Sequence, residues 1–218
     1  MAEIYIFRKK IYMTKLLTLL SLAAFGLGFS QNFSPAQYPK GVYETYEDFR
    51  TKTPSSDPGI SAPITDDQIA FRFNNLDDKG KKLKKAFAIS DGKDVYIHVV
   101  NLIKKFNSED KGQGYDGGIY YLKAENKGGY LFVRDYFTSN SAAMWGGIIA
   151  ATAARRTKGV IYDEEKESFN LFKNIEEFKT FMEVNHPNVS LDLEKGKGES
   201  KLDEGEIEAK NLEFIKTV

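Results

Sequence analysis

The chain contains no cysteine. That absence removes disulfides, thiolate metal sites, thiol nucleophiles and lipid attachment through a processed N-terminal cysteine. Histidine is scarce as well: His98 and His186 are the two in the chain, and they do not form the H-E-x-x-H spacing of a metalloprotease helix. No G-x-S-x-G nucleophile elbow occurs. The oxygen-rich stretch Asn107–Asp116 departs from the order a calcium loop requires. The glycine clusters GYDGG and KGG lead into no helix with a Lys-Ser/Thr signature, so they read as turns. Thirty-one basic side chains balance thirty-one acidic ones, which leaves no electrostatic footprint for nucleic acid. The two apolar runs that stand out, 16–27 and 142–154, both fall short of the roughly 20 residues needed to span a bilayer as a helix. No internal repeat marks a solenoid or propeller, and no cofactor or metal is expected.

What is present starts with a targeting signal. Arg8, Lys9, Lys10 and Lys15 form a positive n-region, Leu16–Leu27 an apolar h-region, and Gly28 and Ser30 the small residues ahead of a cleavage site. We expect residues 1–30 to be a cleaved signal peptide and the protein to be periplasmic or secreted, with a mature start at Gln31 and no cysteine-linked lipid. Met13 opens a complete signal by itself, so either start gives the same mature chain. Taking 30 residues from 218 leaves 188, enough for one well-buried domain. The removed segment carries four bases and one acid, so 27 basic side chains then face 30 acidic ones, a net charge of −3.

Residues 31–40, with two prolines and no periodicity, read as a flexible leader, and 41–190 as a single α+β domain. Thr45 and Asp48 resemble a capping box and predict a short helix over Tyr46–Thr51, ended before Pro54. Tyr43, Tyr46 and Phe49 give it an aromatic face that plugs one end of the core. Strands are expected at Ile69–Phe73, Lys84–Ser90 and Asp94–Val100, the last two as a hairpin through Asp91-Gly92-Lys93. A second hairpin joins Gly118–Lys123 to Tyr130–Phe137 through Ala124–Gly129, and a third joins Gly159–Asp163 to Ser168–Phe172. Such close spacing argues for antiparallel pairing, because parallel pairs need crossovers of about a dozen residues. Asn174 with Glu177 starts a helix ending near His186-Pro187, with Ile175, Phe178, Phe181 and Met182 as its apolar stripe. Residues 191–218 read as a charged tail with a terminal helix over Glu206–Val218.

Three segments carry a likeness to known proteins. They are Gly41-Val42-Tyr43-Glu44-Thr45-Tyr46-Glu47-Asp48-Phe49 ahead of Pro54-Ser55, Ser90-Asp91-Gly92-Lys93-Asp94-Val95-Tyr96-Ile97, and Gly146-Gly147-Ile148-Ile149-Ala150-Ala151 followed by Val160-Ile161-Tyr162-Asp163. Together they resemble a group of uncharacterised secreted proteins from Bacteroidetes-type bacteria, over about half of the mature chain. The resemblance implies an exported protein and implies no catalytic activity.

Candidate chemistry is sparse. His98 reads as a solvated or hydrogen-bonded strand residue, and His186 as a cation at a helix C-terminus. A carboxylate pair for glycan hydrolysis would have to come from Asp91, Asp116 and Asp135, of which the first two sit in glycine turns and the third beside Arg134, facing solvent. Tyrosine supports either packing or recognition, and Tyr120, Tyr121 and Tyr130 lie in the second hairpin, where a recognition face would form. The most distinctive stretch is Ala142–Ala154, a run of apolar and small residues closed by Arg155 and Arg156. It reads first as a buried connecting helix packed closely through Gly146 and Gly147. In its second reading it docks on a partner or a membrane interface through Trp145, Ile148 and Ile149, with Arg155, Arg156 and Lys158 meeting head groups. Two adjacent glycines weaken a free helix by about 1 kcal/mol each, which favours burial.

The expected fold is α+β: an antiparallel twisted sheet or partly closed barrel of six to eight strands with two or three helices. The expected role is that of a non-enzymatic exported protein that binds an envelope component, protein or glycan. The alternatives are a carboxylate-dependent glycan hydrolase and peripheral membrane association through 142–154.

Overall fold

The structure is a computed structural model that describes residues 32–65, 70–73, 86–106, 110–112, 120–139, 156–172, 174–195 and 202–217. Residues 31–218 form one compact unit, and residues 1–30, read from the sequence as a signal peptide, lie outside the described residues. The fold is α+β and antiparallel, with the strands divided between two sheets. Among the described residues neither sheet closes into a barrel.

The first sheet is built from short strands: β1 (Gly41–Tyr43), β2 (Ile64–Thr65), β3 (Ala70–Arg72), β4 (Ala88–Ser90), β5 (Val95–Ile97) and β7 (Tyr121–Lys123). Their spatial order is β1-β4-β5-β7-β3-β2. The hairpin β4–β5 turns where Asp-Gly predicts it. Asp91 Oδ1 accepts the amides of Lys93 and Asp94, and Gly92 supplies the left-handed residue at φ 89°. β1 is not left as a bare edge, because its Val42 exchanges backbone hydrogen bonds with Ser55 and Ser56.

The second sheet holds the long strands. It comprises β6 (Asp110–Gly112), β8 (Glu125–Lys127), β9 (Tyr130–Ser139), β10 (Arg156–Asp163) and β11 (Ser168–Leu171), in the order β11-β10-β9-β6 with β8 also on β9. β7 and β8 are separated by Ala124 alone, so one stretch of chain leaves the first sheet and enters the second. The expected partner of 118–123 therefore changes: β7 pairs with β5 and β3, and it is β8 that pairs with β9. The reason is local. Gly128 and Gly129 have φ of 60° and 96°, the two positive values of a two-residue hairpin turn, and that turn fixes the register Lys127↔Tyr130.

Four helices pack on this frame: α1 (Tyr46–Arg50), α2 (Val99–Phe106), α3 (Ile175–Asn185) and α4 (Glu204–Glu213). The capping box at Thr45 forms as read, with Asp48 as the reciprocal partner, and Asn174 caps α3 through the amides of Glu176 and Glu177. The strand expected to reach Val100 stops at Ile97. His98 begins α2 instead, its carbonyl accepting from Asn101 and Leu102.

The shared core lies between the sheets. Phe49 of α1 is its hub, with ring centroids 4.8 Å from Tyr38, 5.4 Å from Tyr162, 5.5 Å from Phe87 and 5.8 Å from Phe169. Offset and edge-on aromatic pairs of this kind add ~0.5–1.5 kcal/mol each beyond area burial. The leader read as flexible is part of this core. Phe33 and Tyr38 are each 1% exposed, the Phe33 amide donates to Gly129 O, and Ser90 Oγ donates to Tyr38 O. Aromatic anchors four residues or fewer from each proline hold a segment that has no periodicity of its own.

The outer face of the second sheet is covered by α3 and α4, whose Phe178, Met182 and Leu212 join Phe172 in packing against Tyr130, Phe132 and Ile161. The terminal helix is thus a packed layer. The described stretch that precedes it is tied in as well: Asn211 accepts from the Asp192 amide and donates to the Asp192 carbonyl.

Candidate functional site

Strand alternation sorts the second sheet into two chemically distinct faces. Val133 and Val160 oppose one another and belong to the shared core. Two residues on, Asp135 opposes Lys158 on that same inner face, and both are buried, at 1% and 7% exposure. The expectation that Asp135 faces solvent is therefore corrected; it is Arg134, on the outer face, that is half-exposed. Asp135 turns inward because its parity with Leu131 and Val133 puts it on the core side.

On the outer face the same strands meet α4. Gly159 opposes Arg134 in register, and a Cβ at Gly159 would collide with the Phe132 ring and with Glu208 Oε2. The missing side chain opens a berth for Glu208, which is 1% exposed. Its Oε2 accepts the Gly159 amide at 2.6 Å. Burial drives the Glu208 carboxyl well above the usual carboxylate range, with the carboxylates of Glu204 and Asp203 adding to the effect. The Gly159 amide and Lys158 pull in the other direction and do not offset it. Arg134 shares this face, but its guanidinium pairs with Glu206 at 3.1 Å.

The histidines have found partners. His98 is 2% exposed, accepts the Asn101 amide at Nδ1, and stands edge-on to Tyr121 at 5.1 Å. His186 meets the Tyr130 hydroxyl through Nε2 at 2.8 Å. Burial pushes its proton affinity below the ordinary value, so at neutral pH it is an uncharged hydrogen-bond partner, where a C-terminal cation was expected. Burial, together with Asp163 and Glu165, raises Tyr130 to about 12.

The tyrosines expected to form a recognition face divide. Tyr121 is fully buried between the Phe73 and His98 rings, and Tyr130 lies under α3. Tyr120 is half-buried. Of the hydrolase carboxylates, Asp91 serves the β4–β5 turn and approaches Tyr96 Oη at 3.3 Å, while Asp135 belongs to the other sheet. These two are not brought together, and Asp116 lies outside the described residues.

Trp145, Ile148, Ile149 and Arg155 also lie outside the described residues. The frame that carries them is described. β9 and β10 are neighbours, and the register runs to Phe137↔Arg156. β9 ends at Ser139 and β10 begins at Arg156, on neighbouring antiparallel strands. Arg156 is thereby placed as the first residue of β10. Among the described residues no helix is long and apolar enough to cross a membrane.

Glu208 was not singled out by the sequence reading, although a signal was there. Gly205, Glu208 and Leu212 are spaced by three and four, which sets the acid in the middle of the buried stripe. No protein-family model matches the chain, and no curated protein and no solved structure is significantly similar to it.

Proposed function

We propose that this is an exported, non-enzymatic binding protein of the cell envelope, and that it meets its partner through the connection between β9 and β10. Export rests on the n-region, h-region and small-residue pattern of residues 1–30, in keeping with the likeness to secreted proteins of Bacteroidetes-type bacteria. The observation that carries the binding role is the Phe137↔Arg156 register. Two adjacent antiparallel strands need a turn of about 2–5 residues. Here they are joined by sixteen, 140–155, of which Ala142–Ala154 are apolar or small with one tryptophan, and Arg155 and Arg156 follow. Joining the strands does not require that length, and connections of more than about 12 residues tend to be functional. The inward side of the sheet at this end already holds Asp135 and Lys158, a poor bed for an apolar helix. Both points favour the outward reading of the run over burial.

The partner is an envelope component, protein or glycan, or the membrane interface itself. Cell fractionation of the native protein beside Ile148→Asp, with the mature N-terminus read by mass spectrometry, tests this. A wild type that begins at Gln31 and sediments with envelope, beside a folded variant released from it, is the expected result. A soluble wild type, or a variant that unfolds, overturns the outward reading.

A further inference from the structure

We infer that α4 is a proton-dependent latch: it stays docked on the second sheet while the Glu208 carboxyl is uncharged, and ionisation of that carboxyl releases it. The geometry is that of a fitted but separable part. α4 is the last α-helix among the described residues, and its contact with the sheet passes through glycine at three places, two on the sheet side and one on the helix. A Cβ at Gly128 would strike the Leu212 carbonyl, one at Gly159 would strike Glu208, and one at Gly205 would come within 2.9 Å of Arg134. Backbone therefore meets side chain or backbone with no flexible layer between. In the centre of that contact stands one carboxyl, 1% exposed, whose Oε2 takes the Gly159 amide. Its other oxygen, Oε1, is buried with no hydrogen-bond partner among the described residues. An ionised carboxylate in that position would leave a full charge with one hydrogen bond; a neutral acid leaves a single unsatisfied hydroxyl, a much smaller penalty.

The charged groups around the berth do not supply a counterion. From α4 and its cap come Glu204 and Asp203, both acidic, with Glu206 bonded back to the Asp203 amide and paired with Arg134. β9 offers Arg134, already engaged with Glu206, and Asp135 on the opposite face. β10 offers Lys158, which alternation puts on that opposite face across from Asp135. β8 offers Lys127, paired with Glu213 at 2.6 Å and with Glu125 at 3.3 Å. The segment before the helix offers Asp192, paired with Lys210, and Lys195, which reaches Glu204 at 3.5 Å. α3 turns Phe178 and Met182 inward and pairs Lys179 with Glu183. Burial accordingly holds the Glu208 carboxyl above the usual range.

The sign follows from linkage. The docked state binds a proton that the undocked state releases in the ordinary carboxylate range. Docking is complete below that range and weakens as pH rises through the raised value of the docked state. Each pH unit within that window multiplies the undocked fraction by about ten, one proton being at stake. Undocking would bare the Phe132, Ile161 and Leu212 surfaces.

Amide exchange of residues 204–213, normalised to the intrinsic rate at each pH, tests this on the full mature chain beside Glu208→Gln, which keeps the shape and acceptor but cannot ionise. The expected result is protection that falls about tenfold per pH unit above the ordinary carboxylate range in the wild type, and is flat in the variant. Equal slopes in the two proteins overturn the latch. Should the variant fail to fold, carboxyl-carbon NMR of labelled wild-type protein decides instead. A Glu208 resonance titrating above every other glutamate supports the latch, and one titrating in the ordinary range overturns it.

Discussion

The two faces of the second sheet bury charge in opposite ways, although the same two strands supply both. On the inner face Asp135 and Lys158 stand opposite one another with the aromatic core beyond them. There a buried acid faces a buried base across the strand pair. On the outer face Glu208 arrives from α4 and meets a backbone amide, and burial there favours its uncharged form. The parity of Lys158 along β10 places it opposite Asp135 and on the face away from Glu208.

This contrast can be broken, and the largest effect is expected on the inner face. Lys158→Ala leaves Asp135 buried beside no cation and should destabilise by ~3–5 kcal/mol, read from urea unfolding. The double change Lys158→Met with Asp135→Leu should recover most of that loss, since paired apolar replacements of a buried ion pair are often neutral. Recovery of none of it would mean that the two side chains are not coupled. Next comes the berth. Gly159→Ala forces the Phe132 ring and Glu208 to move and should cost about 1–3 kcal/mol, with lost protection concentrated in α4. A uniform loss over both sheets would contradict the assignment of that glycine to helix docking.

Smaller effects separate the two titrating groups of the outer face. His186 is held uncharged against Tyr130. Its contribution is present above the ordinary histidine value of roughly 6.5 and is lost as pH falls through its depressed value in the folded state. Glu208 works in the other direction, its contribution declining as pH rises above the ordinary carboxylate range, so the two oppose one another where their windows overlap. Replacing His186 with Phe should remove only the acid-side decline and Glu208→Gln only the alkaline-side one, each by about 1 kcal/mol or less for the half-buried histidine. Stability that follows one and the same pH profile in both variants would refute this division.

Much of the frame was legible because it is written locally. Asp91-Gly92, Thr45 with Asp48, and Asn174 with Glu177 each fix a turn or cap within four residues, and each forms as read. What the sequence hid depends on distant partners. The 31–40 leader has no periodicity, yet Phe33 and Tyr38 are anchored by Gly129 and Phe49. Val99-Val100 carries a β-branched signal that the α2 helix overrides, because Leu102 and Ile103 are buried in the core. Ala124 gives no local hint that the chain changes sheets there. Two of the three tyrosines read as a recognition face lie in the core for a related reason: strand residues of a sheet covered on both faces have no outer side, so Tyr121 and Tyr130 are buried, while Tyr120 is half-buried.

The docking of Phe33 has a consequence for the order of events in making this protein. Its ring is buried three residues beyond the proposed cleavage point, and its amide and carbonyl are both bonded, to Gly129 and to Asn126. A peptidase needs an extended, accessible chain on both sides of the bond it cuts. On the proposed processing at Gln31, cleavage would have to precede closure of the aromatic core, because a precursor that folded first would shield its own processing site. Under that proposal maturation is a race against folding, with Phe33 as the finishing line.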